Sequence, residues 1–378
     1  MRLGFDAKRA ALNRTGLGNY SRYVVDILAK NSTSDEYLLY TPKVKPNGFL
    51  DSLLKIKTVS VKLPDTFLGE KLKSLWRSRG IVSQLKRDEV ELFHGLSNEL
   101  PFGIQHSGIK SVVTIHDLIF RCHPEFYKPI DAYIYDLKFR YACFVADKII
   151  AVSECTKRDI VRFYGTDPSK IEVIYQGCDA FFTQKASKEK LLEVQEKYKL
   201  PNEFILSVGS IEARKNLLLA VKALLHTDTK IPLVAVGKRT AYTTEIERFV
   251  EENNLQKRVI LLHDVPFADL PAIYQLGKLF VYPSLYEGFG IPLIEAIHSG
   301  LPVIGATGSC LEEAGGPDSV YVNPYDEKEL AAAFDRILSD NVLQSKMIES
   351  GSEYVKRFDE QIQAAQIKQL YSEILNKP

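Results

Sequence analysis

The sequence predicts an α/β fold made of two doubly wound domains, each with a parallel β-sheet and helices on both faces. The length of 378 residues suits two domains with a hydrophobic core each. Short β-branched or aromatic runs alternate with longer amphipathic segments from end to end, which is the pattern of repeated β–α–β units. Residues 176–190 interrupt this alternation once, and it then starts again. Two sets of strands therefore predict two sheets.

The strands of both sets are short apolar runs bounded by turn residues. The first set lies at 1–6, 37–41, 57–61, 90–94, 110–115, 147–152 and 170–175. The second set lies at 203–208, 231–236, 258–262, 278–282, 301–305 and 319–322. Helical patterns fill most of the intervals, so the strands are expected to be parallel and joined by crossover helices.

These strands place an N-terminal domain at residues 1–178 and a C-terminal domain at 179–357. Residues 358–378 are predicted to form a terminal helix. The apolar side of this helix is expected to contain Ile362, Ala365, Ile367, Leu370, Tyr371 and Leu375.

Composition and charge exclude several classes of protein. The net charge of +1 disfavours a nucleic-acid binder with a basic surface. No apolar run is long enough to cross a bilayer, and the first residues read as a strand rather than a signal peptide. The five cysteines show no C-x-x-C spacing, so free thiols in a reducing compartment are expected. We expect a cytoplasmic protein.

In open parallel sheets, ligands bind beyond the carboxyl ends of the strands. The loop "TGLGNYS" follows the first strand, and Gly16 and Gly18 would let its backbone approach a phosphate. The alternative is a plain tight turn. Ser21 replaces the third glycine of a dinucleotide fingerprint, so a nicotinamide dehydrogenase is disfavoured.

The loop "TIHDLIF" places His116 and Asp117 at the end of an apolar strand. The histidine is suited to hydrogen-bond a ligand hydroxyl or phosphate, and Asp117 to fix its tautomer. Alternatively, Asp117 caps the next turn and His116 is a satisfied polar residue.

The loop "SVGSIEARKNL" carries Arg214 and Lys215 between a glycine-containing turn and a helix. A planar guanidinium and a compact ammonium together suit a diphosphate. The alternative is a solvated pair of surface cations.

The segment "YEGFGIPLIEAIHSG" holds two glutamates separated by seven residues. Pro292 suits the first position of a helix, and the backbone N–H groups of 290–293 are expected to face a bound anion. Glu287 is placed on the loop and Glu295 in the first helical turn, where the helix dipole would help to keep it ionised. Carboxylates accept hydrogen bonds from adjacent hydroxyls, so both are predicted to bind hydroxyl groups. Alternatively, one acid caps the helix and the other faces solvent.

These residues resemble the retaining glycosyltransferases of family 4, which have the GT-B fold. The motif E-x7-E runs from Glu287 to Glu295. The similarity extends over almost the whole chain and includes "RTGLGNYSRYVVDIL", "LFHGLSNELP", "VVTIHDLIFRCHPEFY", "AVSECTKRDI", "SVGSIEARKNL" and "EEAGGPDSVYVNPYDEKEL". The resemblance implies two Rossmann-like domains facing a central cleft, an acceptor-side one and a nucleotide-sugar-binding one. The terminal helix would pack back on the first.

The resemblance also assigns roles in the C-terminal domain. Arg214 and Lys215 would hold the donor diphosphate, Glu295 the nucleotide ribose and Glu287 the hydroxyls of the transferred sugar. The backbone of Gly290, Ile291 and Pro292 would lie beside that sugar. Cys310 stands where the family often has a small hydroxyl residue, which would weaken one contact to phosphate.

In the N-terminal domain, the resemblance places His116 by the donor sugar and the reacting carbon. The Gly16–Gly18 loop would border the phosphates and the acceptor, and Asn98 and Asp117 would line the cleft. The catalytic set would then be His116 together with Glu287 and the two cations.

The resemblance implies transfer of a hexose from a nucleotide sugar, GDP-mannose first and a UDP-sugar next. The acceptor would be a saccharide or lipid-linked saccharide in cell-surface polysaccharide synthesis. No D-x-D element is found, so neither a metal nor another cofactor is expected. The alternatives are an epimerase or hydrolase of nucleotide sugars, and a non-catalytic carbohydrate-binding scaffold.

The segment 71–87 holds six basic residues and no acid. Its apolar stripe would consist of Leu72, Leu75, Trp76, Val82 and Leu85. As an amphipathic helix it would lie on the inner face of the plasma membrane, where lipid-linked acceptors are found. The alternative is a helix that packs on its own sheet, with Gly80 interrupting its regularity.

Overall fold

The computed structural model describes residues 1–376, apart from the side chain of Leu68. The chain forms two compact units. The N-terminal unit combines Met1–Gln176 with the chain from Asp359 onwards, and the C-terminal unit is Gly177–Phe358. The N-terminal unit is therefore built from both ends of the chain.

The N-terminal unit contains a parallel seven-stranded sheet with the order β3-β2-β1-β4-β5-β6-β7. Its strands are β1 (Arg2–Asp6), β2 (Glu36–Tyr40), β3 (Val59–Lys62), β4 (Leu92–Gly95), β5 (Lys110–Ile115), β6 (Lys148–Ala151) and β7 (Ile171–Val173). Leu3 in β1 pairs with Tyr37 on one side and Leu92 on the other. The order reverses at β1, which places a topological switch point between β1 and β4.

The C-terminal unit contains a parallel six-stranded sheet with the order β10-β9-β8-β11-β12-β13. Its strands are β8 (Ile205–Val208), β9 (Leu233–Val236), β10 (Val259–Leu262), β11 (Leu279–Tyr282), β12 (Val303–Ala306) and β13 (Val320–Val322). The predicted fold class is confirmed. Every predicted strand is present, with ends that differ by up to two residues.

Helices cover both faces of each sheet, so the central strands are apolar throughout rather than alternating. All residues of β4, β9, β11 and β12 are buried. The helices of the N-terminal unit are α1 (Lys8–Leu12), α2 (Gly16–Lys30), α3 (Asp51–Leu54), α4 (Phe67–Lys71), α5 (Lys73–Leu75), α6 (Ile81–Arg87), α7 (Ile119–Cys122), α8 (Pro129–Val145), α9 (Glu154–Tyr164) and α18 (Glu360–Leu375). Those of the C-terminal unit are α10 (Lys188–Tyr198), α11 (Leu217–Ala223), α12 (Ala241–Glu252), α13 (Leu270–Leu276), α14 (Ile291–His298), α15 (Leu311–Gly315), α16 (Glu327–Ser339) and α17 (Asn341–Tyr354).

The prediction of one amphipathic helix at 71–87 is wrong. The segment divides into the end of α4, the short α5, a π-helical turn at Trp76–Gly80 and α6. Trp76 and Leu85 lie in the hydrophobic core, and the indole N–H of Trp76 donates to Gln84 over 3.0 Å. Most of the expected apolar stripe therefore belongs to the core. The Trp76 indole in particular has a buried hydrogen-bond partner, so it is more stable inside the protein than in contact with solvent.

The terminal helix α18 packs against the N-terminal unit. It buries Ala364, Ile367, Leu370, Tyr371 and Ile374. Ile362 is 45% exposed and Ala365 is exposed as well, so the predicted apolar side is shifted at the start of the helix. Gln363 lies inside instead and accepts a hydrogen bond from the Tyr23 hydroxyl over 3.0 Å.

A buried polar chain connects α18 with the centre of the sheet. The hydroxyl oxygen of Tyr371 lies 2.5 Å from His94 Nδ1, and His94 Nε2 lies 2.8 Å from Thr114 Oγ1. Thr114 in turn lies 3.1 Å from the hydroxyl of Tyr20 on α2. Burial lowers the pKa of His94 to about 3, so this imidazole is neutral and needs both partners for its ring nitrogens.

Replacing Tyr371 with phenylalanine tests this chain. The variant leaves His94 Nδ1 buried without a partner, so the free energy of unfolding should fall by ~1–3 kcal/mol. Urea denaturation measures it. Tyr325→Phe is the matched control, because Tyr325 is 71% exposed and its variant should change stability by less than ~0.5 kcal/mol. Equal effects of the two variants would contradict the role given to Tyr371.

Candidate active site

The polar residues of the C-terminal unit meet at the carboxyl edge of its sheet. Arg214 and Lys215 follow β8, and Glu287 follows β11. These two strands are neighbours and parallel, so the loops that leave them lie side by side. The structure thereby brings together three of the residues that the sequence singled out.

Glu287 is the centre of this cluster and is 9% exposed. Its Oε1 atom lies 2.5 Å from Lys215 Nζ and 2.8 Å from Arg214 Nη1. The same oxygen accepts hydrogen bonds from the hydroxyls of Ser284 over 2.7 Å and Tyr282 over 3.1 Å. Four donors thus converge on one carboxylate oxygen.

These contacts decide the charge of Glu287. Burial alone would raise its pKa, but Lys215 and Arg214 outweigh burial and lower the pKa of Glu287 to about 2. A carboxyl group whose pKa is lower in the folded protein stabilises the fold above its unfolded pKa, and that stability is lost as pH falls towards the folded value. Glu287 is therefore an anion throughout the neutral range, while burial lowers the pKa of Lys215 against the opposing effect of the Glu287 charge.

Backbone contacts fix the two loops against each other. The carbonyl oxygen of Arg214 accepts from the amide of Leu285 over 2.9 Å and from the Ser284 hydroxyl over 3.1 Å. Asn216, which has a φ of 58°, donates from its side-chain amide to the carbonyls of Pro283 and Pro324. The position of both cations is thus set by backbone geometry as well as by charge.

The turn before α14 is held by a glycine at a close approach. Gly290 has a φ of 122°, and a Cβ atom there would lie 2.9 Å from a methyl carbon of Leu311. Pro292 has no N–H, and Leu293 donates its own to the carbonyl of Gly290 over 3.0 Å. Pro292 and Leu293 therefore supply none of the four free N–H groups expected at 290–293, which leaves Gly290 and Ile291 as the candidates.

Cys310 supports the same turn. It is fully buried, and its Sγ lies 3.1 Å from the carbonyl oxygen of Glu287 and 2.8 Å from that of Phe289. A thiol in this position is a weak donor to the backbone of the glutamate loop. The residue therefore positions the turn.

Glu295 lies in the second turn of α14, one turn later than predicted. Its Oε2 accepts a hydrogen bond from the hydroxyl of the buried Tyr274 over 2.9 Å. Burial raises the pKa of Glu295 to about 7, although the bond from Tyr274 opposes the shift. Burial thus opposes the helix dipole, which was expected to help to keep Glu295 ionised.

His116 belongs to the N-terminal unit and is 7% exposed. Its Nε2 lies 2.9 Å from the carbonyl oxygen of Leu96 and therefore carries the proton, which leaves Nδ1 as an acceptor 3.4 Å from the side-chain amide of Gln176. Burial lowers the pKa of His116 to about 4, so the ring is neutral. Its edge packs against the ring of Tyr20 with 4.5 Å between centroids.

Asn98 and Asp117 support the histidine loop in different ways. The Asn98 side chain accepts the His116 backbone N–H over 2.7 Å, and Asn98 itself adopts a φ of 64°. Asp117 accepts the amide of Ile119 over 3.1 Å and so caps the next turn. The carbonyl of Leu96 fixes the tautomer of His116, and the cap is one of the two roles expected for Asp117.

Gly16 and Gly18 have different environments. A Cβ atom on Gly18 would lie 2.0 Å from the carbonyl oxygen of Asn13, so this glycine is explained by contact with the protein's own backbone. Gly16 begins α2 and has open space around it. Of the two, only Gly16 is placed for a ligand.

Five residues of the site were missed by sequence reasoning or given another role: Tyr274, Tyr282, Ser284, Asn216 and Cys310. Tyr282 and Ser284 could have been found, because they end the strand and begin the turn that carries Glu287. Tyr274 lies on a different helix and has no signal in the sequence.

Two absences among the described residues concern metals and membranes. Within residues 1–376, no three His, Cys, Asp or Glu side chains are grouped so that they could hold a metal ion. Among the helices that the structure describes, none is both long enough and apolar enough to cross a bilayer.

Two doubly wound parallel sheets are the architecture of the GT-B fold, and the second sheet carries cations and a carboxylate at its carboxyl edge. Residues 17–180 match the family "Glycosyltransferase Family 4", and residues 187–354 match "Glycosyl transferases group 1". The chain is a glycosyltransferase of the GT-B type, family 4.

Characterised relatives agree with this assignment. O-antigen chain mannosyltransferase B of Escherichia coli is 28% identical over 363 residues, which is 91% of this chain and 92% of the relative. O-antigen chain mannosyltransferase RfbU of Salmonella typhimurium is 32% identical over 254 residues, 65% of each chain.

Solved structures share the fold along the whole chain. The HepE protein of Anabaena, solved with UDP and glucose, gives a TM-score of 0.77 at 18% identity and covers 99% of this chain and 100% of its own. A glycosyltransferase from Rickettsia africae gives a TM-score of 0.78 at 18% identity and covers 100% and 99%.

The cluster around Glu287 leads to a prediction about stability. Glu287→Gln leaves two cations buried without a carboxylate, so the free energy of unfolding should fall by ~3 kcal/mol or more. In a double-mutant cycle, Lys215→Met combined with Glu287→Gln should cost less than the two single changes added together. Glu353→Gln removes an exposed ion pair and serves as the control, with an expected loss below ~1 kcal/mol. A Glu287→Gln protein as stable as this control would contradict the prediction.

Proposed function

We propose that this glycosyltransferase moves a hexose from a nucleotide sugar with retention of configuration, and that the donor is GDP-mannose or, failing that, a UDP-sugar. The cluster of Arg214, Lys215 and Glu287 at the carboxyl edge of its sheet carries the proposal. The choice of mannose rests on the mannosyltransferases to which the chain is similar.

In this proposal, the two cations bind the donor diphosphate. Arg214 and Lys215 share the single carboxylate of Glu287, and their side chains are only 16% and 17% exposed. Charges held in a partly desolvated site interact more strongly with a developing anion than charges in water do. They would therefore stabilise the departing nucleoside diphosphate.

Charge stabilisation of this kind needs no divalent cation. The bond between sugar and phosphate breaks with oxocarbenium character, and the negative charge collects on the leaving phosphate, where Arg214 and Lys215 lie. We propose that transfer is metal-independent and that the leaving phosphate oxygen helps to deprotonate the acceptor on the same face of the sugar. Glu287 would hold the cations and accept sugar hydroxyls without acting as a covalent nucleophile.

The remaining residues bind hydroxyl groups. Glu295 would accept the ribose 2′- and 3′-hydroxyls, while the N–H groups of Gly290 and Ile291 would donate to the sugar or phosphate. In the N-terminal unit, His116 presents Nδ1 as an acceptor, so it is suited to a sugar hydroxyl and, being neutral, not to an ionic bond with phosphate.

For the acceptor, we propose a saccharide or lipid-linked saccharide used in cell-surface polysaccharide synthesis. The relatives named for the O-antigen chain support this class. Contact with the membrane through residues 71–87 stays a prediction, and of its apolar stripe Leu72 and Leu75 are the exposed members.

A thermal-shift screen tests the donor site. The compounds are GDP, UDP, ADP and their sugar conjugates. One nucleotide class should raise the melting temperature, because a ligand that binds the folded state stabilises it. The shift should survive EDTA and disappear in Arg214→Ala. Arg239→Ala is the matched control, since Arg239 follows the neighbouring strand β9 but is paired with the exposed Glu247. No shift with any nucleotide would overturn the donor-site assignment.

The raised pKa of Glu295 predicts pH-dependent donor binding. Only the ionised carboxylate accepts from two hydroxyls, so affinity should rise as pH increases through about 7 and fall up to tenfold per pH unit below it. Isothermal titration with the intact nucleotide sugar measures this, because its diphosphate does not titrate in that range. In Glu295→Gln the affinity should be lower and nearly independent of pH between 6 and 8. If the affinity of the unchanged protein were equally independent of pH, the role proposed for Glu295 at the ribose would be contradicted.

A further inference from the structure

A cavity of about 60 Å³ lies at the switch point of the N-terminal sheet. Asp6 is the last residue of β1, Glu99 lies in the loop after the neighbouring β4, and both line the cavity. In open parallel sheets, the crevice outside the carboxyl ends of the strands at the switch point is the usual place for a ligand. None of the described residues that line the cavity belongs to the candidate site above, so the cavity is a separate feature of the N-terminal unit.

Arg77 holds both carboxylates of the cavity. Its Nε lies 3.0 Å from Asp6 Oδ2, and its Nη1 lies 2.7 Å from Glu99 Oε2. Glu99 also lies 3.3 Å from the ammonium group of Lys138 on α8. Burial would raise the pKa of Asp6, but Arg77 outweighs burial and lowers it, so Asp6 is an anion at neutral pH. The charged walls of the cavity are therefore held in fixed positions.

The other walls of the cavity combine hydroxyl groups with an aromatic ring. Ser74, Ser78 and Tyr141 supply the hydroxyls. Phe102 supplies the ring, which is 42% exposed and packs 4.6 Å from the ring of Tyr141. A sugar has an apolar C–H face and an edge of hydroxyl groups, so a partly exposed aromatic ring beside polar groups matches both.

The lining favours a neutral sugar over a phosphate. The Nε and both Nη atoms of Arg77 already donate to carboxylates, so a phosphate would have to compete with Asp6 and Glu99 for the guanidinium. The same carboxylates repel an anion, whereas their remaining lone pairs can accept hydrogen bonds from hydroxyls. The volume has room for roughly four water molecules, which suits the hydroxyl-bearing edge of one sugar ring and not a nucleotide.

We propose that this cavity binds a neutral hexose of the acceptor saccharide, an assignment that rests on the proposed function. Asp6 and Glu99 would accept hydrogen bonds from the hydroxyls of this hexose, and Phe102 would pack against its C–H face.

The position of the cavity fits an acceptor. Glu99 follows Asn98, whose side chain accepts the backbone N–H of His116. A sugar in the cavity would therefore lie beside the loop that is proposed to contact the donor sugar.

Binding of simple glycosides to the full chain tests the proposal. The probes are the methyl glycosides of mannose, glucose and galactose and their α-linked disaccharides, and saturation-transfer NMR and titration calorimetry measure the binding. One of these glycosides should bind, and inorganic phosphate at the same concentration should not displace it. Glu99→Gln should weaken the binding roughly tenfold or more, because a hydroxyl donates a stronger hydrogen bond to a carboxylate than to an amide.

A second variant, Ser74→Leu, tests the cavity without changing its charges. Ser74 is exposed, so this variant should fold, and the larger side chain should occupy part of the cavity and weaken glycoside binding as well. Asp65→Asn is the matched control, because it removes the ion pair with Arg87 of the same segment outside the cavity. This control should bind glycosides like the unchanged protein. Equal melting temperatures show that the variants are folded.

The rise in melting temperature with nucleotide separates this proposal from the proposed function. The rise should be the same in all three variants, because none of them changes the C-terminal unit. If nucleotides bind but no glycoside does, the cavity assignment is wrong while the donor site stands. Glycoside binding that is lost in Glu99→Gln and Ser74→Leu, without any effect of nucleotides, would instead support the cavity and contradict the donor site.

Three further results would overturn the cavity assignment. One is glycoside binding that both Glu99→Gln and Ser74→Leu leave unchanged. Another is an equal loss of binding in Asp65→Asn, because the ion pairs of the segment would then act through the fold alone. The third is displacement of the glycoside by inorganic phosphate, which would assign the cavity to an anion.

Discussion

The buried carboxylate of Glu287 is the constraint on which the C-terminal site depends. A charge that is removed from water must be compensated by partners at hydrogen-bond distance, and here Lys215, Arg214, Ser284 and Tyr282 supply them. Because Lys215 and Arg214 lie in the loop after β8 and Glu287 in the loop after the neighbouring β11, one anion fixes the relative position of both loops. The same contacts orient the cations, so the site is organised before any ligand binds.

The two buried histidines of the N-terminal unit have neutral partners instead, although the unit also buries Asp6 and Asp35 in ion pairs. His94 and His116 are both uncharged, and hydroxyls and a backbone carbonyl contact their rings. Tyr20 touches both systems, through Thr114 and through the ring of His116. A neutral network suits the binding of hydroxyl groups, whereas the charged cluster of the other unit suits phosphates.

Much of the fold could be predicted from the sequence, because buried parallel strands are continuous apolar runs and the loops after them carry the polar residues. The structure of the segment 71–87 could not be predicted. Its alternation of cations and apolar residues fits a helix that lies on a surface as well as a helix that packs inside the protein. Asp117 and Glu295 show a second limit. The tautomer of His116 depends on a carbonyl that is distant in the sequence. The extent to which burial opposes the helix dipole at Glu295 also depends on contacts between residues far apart in the sequence.

The discontinuous N-terminal unit has a consequence for synthesis on the ribosome. The strands of its sheet emerge first, but α18, which supplies Tyr371 to His94, is translated only after the whole C-terminal unit. The C-terminal unit is continuous in sequence, so its whole length is translated before α18. During that interval, His94 and the surface of α2 that α18 will cover are exposed. The nascent chain therefore passes through a state in which its first-made domain is the last to be completed.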